Sequence, residues 1–450
     1  MRQEYQQISE NVKSNKKLME DCLDYIWTNP ELGYKEWKTS YYLEKEFEKL
    51  GYSLIKPNDI PGFYAELDTG RPGPTVAIMG ELDALRCATH PDADPDTQAV
   101  HACGHAIQTT MLLGVAATMK KPGMLEGLCG KIRFMAIPAE ETIDLEYREE
   151  LVKSGKIHYM AGKIEFLYRG FFDGVDMAMM FHATTEEEGL FKITKGSNGC
   201  ITKHFEYIGV AAHAGGAPHL GVNALYAASL GLQACNALRE TFQEKDFVRY
   251  HPIINQAGVA ANAIPALASL DTYVRASSLS AMLSVNTRIN RAIGASAAAI
   301  GAHVTICDRP GNLPLVCDEN LTEGVEKIIN DIFGEGKTIV DEWCTQSTDV
   351  GDISSLIPVI QHHCMGAAGT QHGEDYYIVD RTKALINPAI VLSCMIHDLL
   401  KNEALYARRV KEKYKPVFNT KQEYFDCINK IQSKKELVNY IGKHEAVISY

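Results

Sequence analysis

GKIRFMAIPAEE, running from Gly130 to Glu141, reads as a buried strand that ends on two adjacent carboxylates. Upstream of it, Thr109 to Met119 is apolar and helix-compatible. Before that helix, Gly62 to Leu67 and Pro74 to Met79 are short runs rich in β-formers, bounded by Gly, Pro and Asp, and they predict two more strands. Strand, helix, strand in this order implies an α/β layer domain. Still earlier, from Asn11 to Glu48, apolar residues recur near helical spacing around the turn-like NPELG at Asn29 to Gly33, which predicts two helices with a kink. Leu85 to Val100 is polar and without period, a long loop of the kind that compact domains keep mainly where a site needs it.

Between Thr194 and about Asp308 the pattern changes. Strand (Thr202 to Val210), helix (Asn223 to Thr241), two strands (Arg249 to Gly258 and Ala268 to Ala276), helix (Ala281 to Ile300) and strand (Ala302 to Cys307) form a βαββαβ series, the ferredoxin-like split pattern. Helix resumes at Asn320 to Phe333. The expected organisation is a discontinuous α/β domain, residues 1–193 and 310–450, with a self-contained insert at 194–309. The tail from about Tyr406 is rich in Lys, Glu and Tyr, with an amphipathic helix expected near Tyr424 to Tyr440 and no chemistry assigned to it.

A chain of 450 residues with 46% apolar and 23% charged content suits two ordinary globular domains. The net charge of −12 argues against general nucleic-acid binding, which needs a basic surface. No run approaches the roughly 18–20 apolar residues of a membrane span, and the polar start MRQEYQQISENVKSNKK lacks a signal peptide's apolar core. The expectation is a cytoplasmic protein with no membrane partner. Twelve scattered cysteines fit reduced thiols better than a disulfide framework.

Four short segments carry the chemistry. In His101-Ala102-Cys103-Gly104-His105 a thiolate and an imidazole two residues apart can grip one metal site while Gly104 relieves crowding. Glu140 and Glu141 close a buried strand, where burial of an unpaired charge costs several kcal/mol that a metal offsets; the bland alternative is a solvated acidic loop. His182 follows the apolar run Val175 to Met180, and His372 sits in Gly369-Thr370-Gln371-His372-Gly373 after the strand Pro358 to Met365. Either histidine alone would be structural. Four such groups at four strand ends are different, because open α/β sheets collect ligands where strand ends converge.

NPELGYKE (Asn29 to Glu36), GELDAL (Gly80 to Leu85), HACGH, IPAEE, GVDMAMMFHA (Gly174 to Ala183), AHAGGAPHLGVNAL (Ala212 to Leu225), ANAIPALA (Ala261 to Ala268) and STDVGDIS (Ser347 to Ser354) occur in that order. Together they resemble the amidohydrolase branch of the aminoacylase and glutamate-carboxypeptidase superfamily, over nearly everything from residue 10 to 400. STDVGDIS and GELDAL look most like the p-aminobenzoyl-glutamate hydrolase and related dipeptidase subgroup. The resemblance implies an α/β di-metal peptidase-like catalytic domain, its central mixed sheet flanked by helices, and an inserted ferredoxin-like lid and dimerisation domain.

Carried over residue by residue, it makes Cys103, His105, Glu141, His182 and His372 ligands of two divalent metal ions, Zn or Mn with Co or Ni as alternatives. Glu140 becomes the general base and Asp83 the carboxylate that orients a ligand imidazole. Glu81 matches an acidic position without an assigned task. His213 resembles a histidine that reaches the partner subunit's site in a homodimer built through the insert. Asn262 and Arg275 match substrate-binding positions, with Arg275 taking the substrate's free carboxylate through its planar donors; a surface salt bridge is the competing account.

The expected reaction is hydrolysis of a small-molecule amide, such as an N-acyl or N-aroyl amino acid like p-aminobenzoyl-glutamate. A dipeptidase is the alternative. Two departures leave the substrate open: TIDLEYREELVKSGKIHYMAGKIEFLYRGFF replaces a Gly-rich run after IPAEE, and GEDYY follows GTQH. A Cys103–His105 nucleophile would leave Glu140, Glu141, His182 and His372 without a role, and catalytic Cys–His pairs usually come from distant segments. A non-catalytic scaffold would be expected to lack a ligand or the base, and all six are present.

Overall fold

Thr75–Glu81, Lys131–Ile137 and Met177–Ala183 are strands of seven residues buried along nearly their whole length. Their near-unbroken apolar runs follow from a sheet covered on both faces. In the computed structural model, which describes residues 2–442 and 445–450, these strands belong to the first of two compact units. That unit comprises the chain up to Gly196, Val316–Trp343 and Asp352–Val417. Its eight-stranded mixed sheet runs in the order Leu54–Ile55, Phe63–Asp68, Lys131–Ile137, Thr75–Glu81, Met177–Ala183, Val359–Cys364, Phe191–Thr194 and Thr338–Asp341. The four central strands are mutually parallel, so their C-terminal ends lie on one side. The α/β class, with a mixed sheet flanked by helices, is as the sequence predicts.

The helix His105–Met119 is buried at every residue and packs against the central strands, which is why its sequence shows no polar face. Two further helices were expected from Asn11 to Glu48; three form, Gln3–Ser14, Lys16–Thr28 and Trp37–Lys49. Asn15, with φ −92° and ψ 7°, breaks the first from the second without interrupting the apolar spacing. The π-helical turn at Thr382 and the helix Asn387–Lys413 together are long and apolar enough to cross a membrane, but 83% of the apolar window is buried inside the protein. The helix also leaves helical geometry at Lys401–Ala404.

The second unit comprises Ser197–Leu315, Cys344–Gly351 and Phe418–Tyr450. Its strands Gly199–Ile208, Leu267–Ala276 and His303–Asn312 pair antiparallel, with the short strands Arg249–Tyr250 and Ile253–Gln256 along the outer side of Leu267–Ala276. The helices Ala224–Ala237 and Leu279–Ile300 pack together over this sheet. In sequence the tail reads as an extension of the α/β domain with a helix to Tyr440. Instead that helix ends at Ile431, and Ser433–Glu436 pairs with His303–Asn312 as a fifth sheet position. Leu437 and Val438 join the core of this unit, which is what draws the tail to it. SKKE has no strand propensity of its own, so only the tertiary pairing reveals the strand.

Candidate metal centre and substrate-binding residues

The four parallel strands deliver the candidate residues to one place. Thr75–Glu81 ends on Glu81 and leads to Asp83; Lys131–Ile137 leads to Glu140 and Glu141; Met177–Ala183 carries His182 near its end; the loop after Val359–Cys364 carries His372. Cys103 and His105 open the buried helix His105–Met119. Gly104, at φ 143°, permits this junction, since a Cβ there would lie 3.0 Å from His182 Cε1 and 2.9 Å from the Ala183 Cβ.

Within the cluster, Cys103 Sγ lies 3.4 Å from both His182 Nε2 and His372 Nε2, and His372 Nε2 lies 3.3 Å from Glu141 Oε1. Two trios of donor atoms result, each with mutual separations within 4.8 Å: Cys103, His105 and His182, and Cys103, Glu141 and His372. Cys103 belongs to both. A third trio joins Glu81, His105 and Glu140. His105 Nε2 and Glu141 Oε1 are buried and satisfied by no hydrogen bond. Thiol, imidazole and carboxylate donors converging in this way, two of them buried without a hydrogen bond, fit a pair of divalent ions, whose charge would satisfy them.

The surrounding residues fix the donors' orientation. His105 Nδ1 donates to the Asp83 carbonyl oxygen at 2.8 Å, with Asp83 Oδ1 at 3.2 Å, which leaves Nε2 as the nitrogen that faces the donor cluster. His182 Nδ1 donates to the Ala183 carbonyl at 2.9 Å with the same result. Burial works against ionised Asp83, but hydrogen bonds from His105 and the Glu141 N–H hold its pKa at about 2. Burial raises the Cys103 thiol, reinforced by Glu141, so a cation is needed to make it a ligand thiolate.

The loop bearing Glu140 is clamped from three sides. Glu36 accepts the Ala139 N–H at 2.7 Å, and Asp83 accepts the Glu141 N–H at 2.8 Å. The fully buried Arg148 donates to the carbonyls of Ala139 at 3.5 Å, Met160 at 2.8 Å and Glu141. Ala139 sits at φ 58°, a left-handed conformation that such a clamp sustains. Gly33 makes room for Arg148, whose guanidinium occupies the space where a Cβ would stand. Beside it, buried Lys163 pairs with Glu81, whose other oxygen lies 3.0 Å from His105 Nε2.

Sequence reasoning left Glu81 without a task and did not single out Glu36, Arg148 or Lys163. The last two lie in the segment that departs from the Gly-rich pattern, and Lys163 in the apolar stretch MAGKIEFL was the available signal.

The remaining candidates, His213, Asn262 and Arg275, belong to the second unit. The loops of His213 and Asn262 are cross-bridged: Ala214 N donates to Asn262 O at 2.9 Å and Ile264 N to Ala212 O at 2.9 Å. His213 Nδ1 accepts N–H groups from Gly215 at 3.2 Å and Gly216 at 2.9 Å, which fixes the tautomer with its proton on Nε2. Arg275 has no ion-pair partner among the described residues, contrary to the surface salt-bridge account, and its Nε is buried without an acceptor.

A Cys, His and Glu cluster at the strand ends of an α/β sheet, with an adjacent carboxylate, is a set of donors able to hold metal ions. Residues 77–397 match the model of peptidase family M20/M25/M40, and the chain belongs to that family. It is 29% identical over 298 residues to one of the p-aminobenzoyl-glutamate hydrolase subunits of Escherichia coli (strain K12), covering 64% of this chain and 57% of that protein. With the Xaa-Arg dipeptidase of Mus musculus it shares 28% identity over 371 residues, 78% of this chain and 77% of the relative. The fold matches that of Bacillus subtilis YXEP protein, a dinuclear metal binding peptidase from the M20 family, with a TM-score of 0.66 and 19% identity over 86% of this chain and 99% of that one.

Proposed function

We propose that this protein is a metal-dependent amidohydrolase that cleaves the amide bond of an N-acyl or N-aroyl amino acid, such as p-aminobenzoyl-glutamate. The observation that carries the reading is the pair of donor trios joined at Cys103, with Glu140 on the clamped loop beside them. Cys103, His105, His182, Glu141 and His372 would hold two divalent ions, Zn or Mn or else Co or Ni. Bound there, the ions would supply Lewis acidity toward a water and the amide carbonyl.

Glu140 removes the proton from the attacking water as its oxygen bonds to the carbonyl carbon, then delivers that proton to the leaving nitrogen as the C–N bond breaks. Asp83 keeps His105 in the ligand tautomer through both steps. His213, with its proton on Nε2, donates to the tetrahedral oxyanion. In the expected homodimer, formed through the second unit, it does so for the partner subunit. Asn262 and Arg275 bind the substrate's free carboxylate, Arg275 having no carboxylate of its own.

A dipeptidase is the second reading, favoured by the longer coverage of the Xaa-Arg dipeptidase, and it uses the same residues. The test is hydrolysis of p-aminobenzoyl-glutamate, hippurate, N-acetyl amino acids and simple dipeptides by Zn- or Mn-loaded protein, beside Glu140→Ala. Activity abolished by chelator and by the substitution supports the reading; activity resistant to both refutes it.

A further inference from the structure

We infer that Arg249 and Arg275 together form a paired-guanidinium site that selects amides whose departing amino acid carries two carboxylates, of the glutamate or aspartate type. The inference rests on the amidohydrolase reading and names its substrate class. Where Arg249–Tyr250 pairs antiparallel with Leu267–Ala276, Arg249 stands directly opposite Arg275. Residues directly opposite share one face of a sheet with Cβ atoms about 4.5–5.5 Å apart, and like charges so placed destabilise the pair. Such an arrangement calls for a counter-charge, and the described residues supply none. Neither arginine forms an ion pair among the described residues, and Arg249 makes only a 3.1 Å hydrogen bond to the Val248 carbonyl.

The next carboxylate on that face of the strand, Asp271, is four residues from Arg275, about 13 Å at the rise of a strand. It is already engaged, by His204 Nδ1 at 2.6 Å and Asn255 Nδ2 at 2.6 Å. Arg275 is meanwhile held in place: its guanidinium lies 4.5 Å from the Tyr273 ring centroid, and Cys200 is its register partner on the other side. Its Nε is buried without an acceptor. A half-buried, fixed guanidinium suits the α-carboxylate, and exposed Arg249 beside it suits the side-chain carboxylate. A neutral side chain leaves Arg249 unmatched. A basic one sets a third cation beside two, so the pair disfavours the dipeptidase type of substrate that ends in arginine.

The experiment compares N-benzoyl-glutamate, N-benzoyl-glutamine and N-benzoyl-arginine on the metal-loaded, full-length protein, with Arg249→Gln and Arg249→Lys alongside. Expected are a kcat/KM at least about tenfold higher for the glutamate than for the glutamine conjugate, and least for arginine. Arg249→Gln should bring the glutamate-to-glutamine ratio close to one, with the loss in KM, and Arg249→Lys should restore part of it. Wild-type preference for glutamine or arginine, or an equal loss on all three in Arg249→Gln, overturns the pair while leaving the amidohydrolase reading intact. If no conjugate is cleaved, the amidohydrolase reading fails. Calorimetric binding of the same three compounds then decides the pair alone: tighter binding of the glutamate compound upholds it, and equal binding overturns it.

Discussion

Asp83 bonds the backbone N–H of Glu141 at 2.8 Å with one carboxylate oxygen while its other oxygen lies 3.2 Å from His105 Nδ1. One buried side chain therefore fixes two candidate ligands, one at the start of a helix and one beyond the end of a strand. Its substitution should register in both metal affinity and acid stability.

Asp83→Asn is expected to lower metal affinity about 10- to 100-fold, as loss of a carboxylate behind a ligand histidine does. Titration of the metal-free protein with Zn, followed by competition with a chelator, measures it. The Asp83 pKa falls from 3.8 unfolded to about 2 folded. A depressed acid stabilises fully above the unfolded value and loses that contribution as pH falls through the folded one. Between about pH 4 and pH 2, the metal-free wild type should therefore lose stability more steeply than Asp83→Asn in urea unfolding curves.

Cys103 belongs to both donor trios, whereas His182 belongs to one and His372 to the other. Cys103→Ala should bind fewer ions than either His182→Ala or His372→Ala, each of which should retain one tightly held ion per chain. Elemental analysis after gel filtration decides it. Equal stoichiometry in all three variants would show that the thiolate is not shared.

Glu140→Gln should keep both ions, since Glu140 belongs to neither trio joined at Cys103 and only to the one with Glu81 and His105, and lose about 10²–10⁴-fold in kcat. A variant that loses its metal along with its activity would instead make Glu140 a ligand.

Arg148→Met should leave the Met160 carbonyl without its buried donor, at about 1–3 kcal/mol, while the carbonyls of Ala139 and Glu141 keep the backbone N–H groups of Gly162 and Ile143. Thermal unfolding should show the loss of stability. Residual activity should fall mainly in kcat, because the clamped loop carries the base. Arg148→Lys, which can replace at most part of the fork, should recover less than half of the lost stability.

Leu437, 1% exposed in the core of the second unit, comes from the tail beyond the last resemblance. Leu437→Ala is expected to cost about 2–5 kcal/mol in chemical denaturation. A cost near zero would mean that the tail is not part of that unit's core.

The α/β class, the strand ends on which the candidate ligands sit and the chemical types gathered there were all legible in the amino-acid order. They depend on local signals: an apolar strand-length run such as Lys131–Ile137, glycine at a close approach such as Gly104, and ligand residues at the ends of such runs. Folding in three dimensions was needed to see that Arg148 and Lys163 turn inward from a segment that in sequence only departs from a Gly-rich pattern, because a buried charge is legible only once its partners are placed. The same holds for SKKE at Ser433–Glu436, whose strand exists because His303–Asn312 offers it an open edge. It holds again for the juxtaposition of Arg249 and Arg275, distant in sequence and adjacent through antiparallel register, which no local pattern encodes.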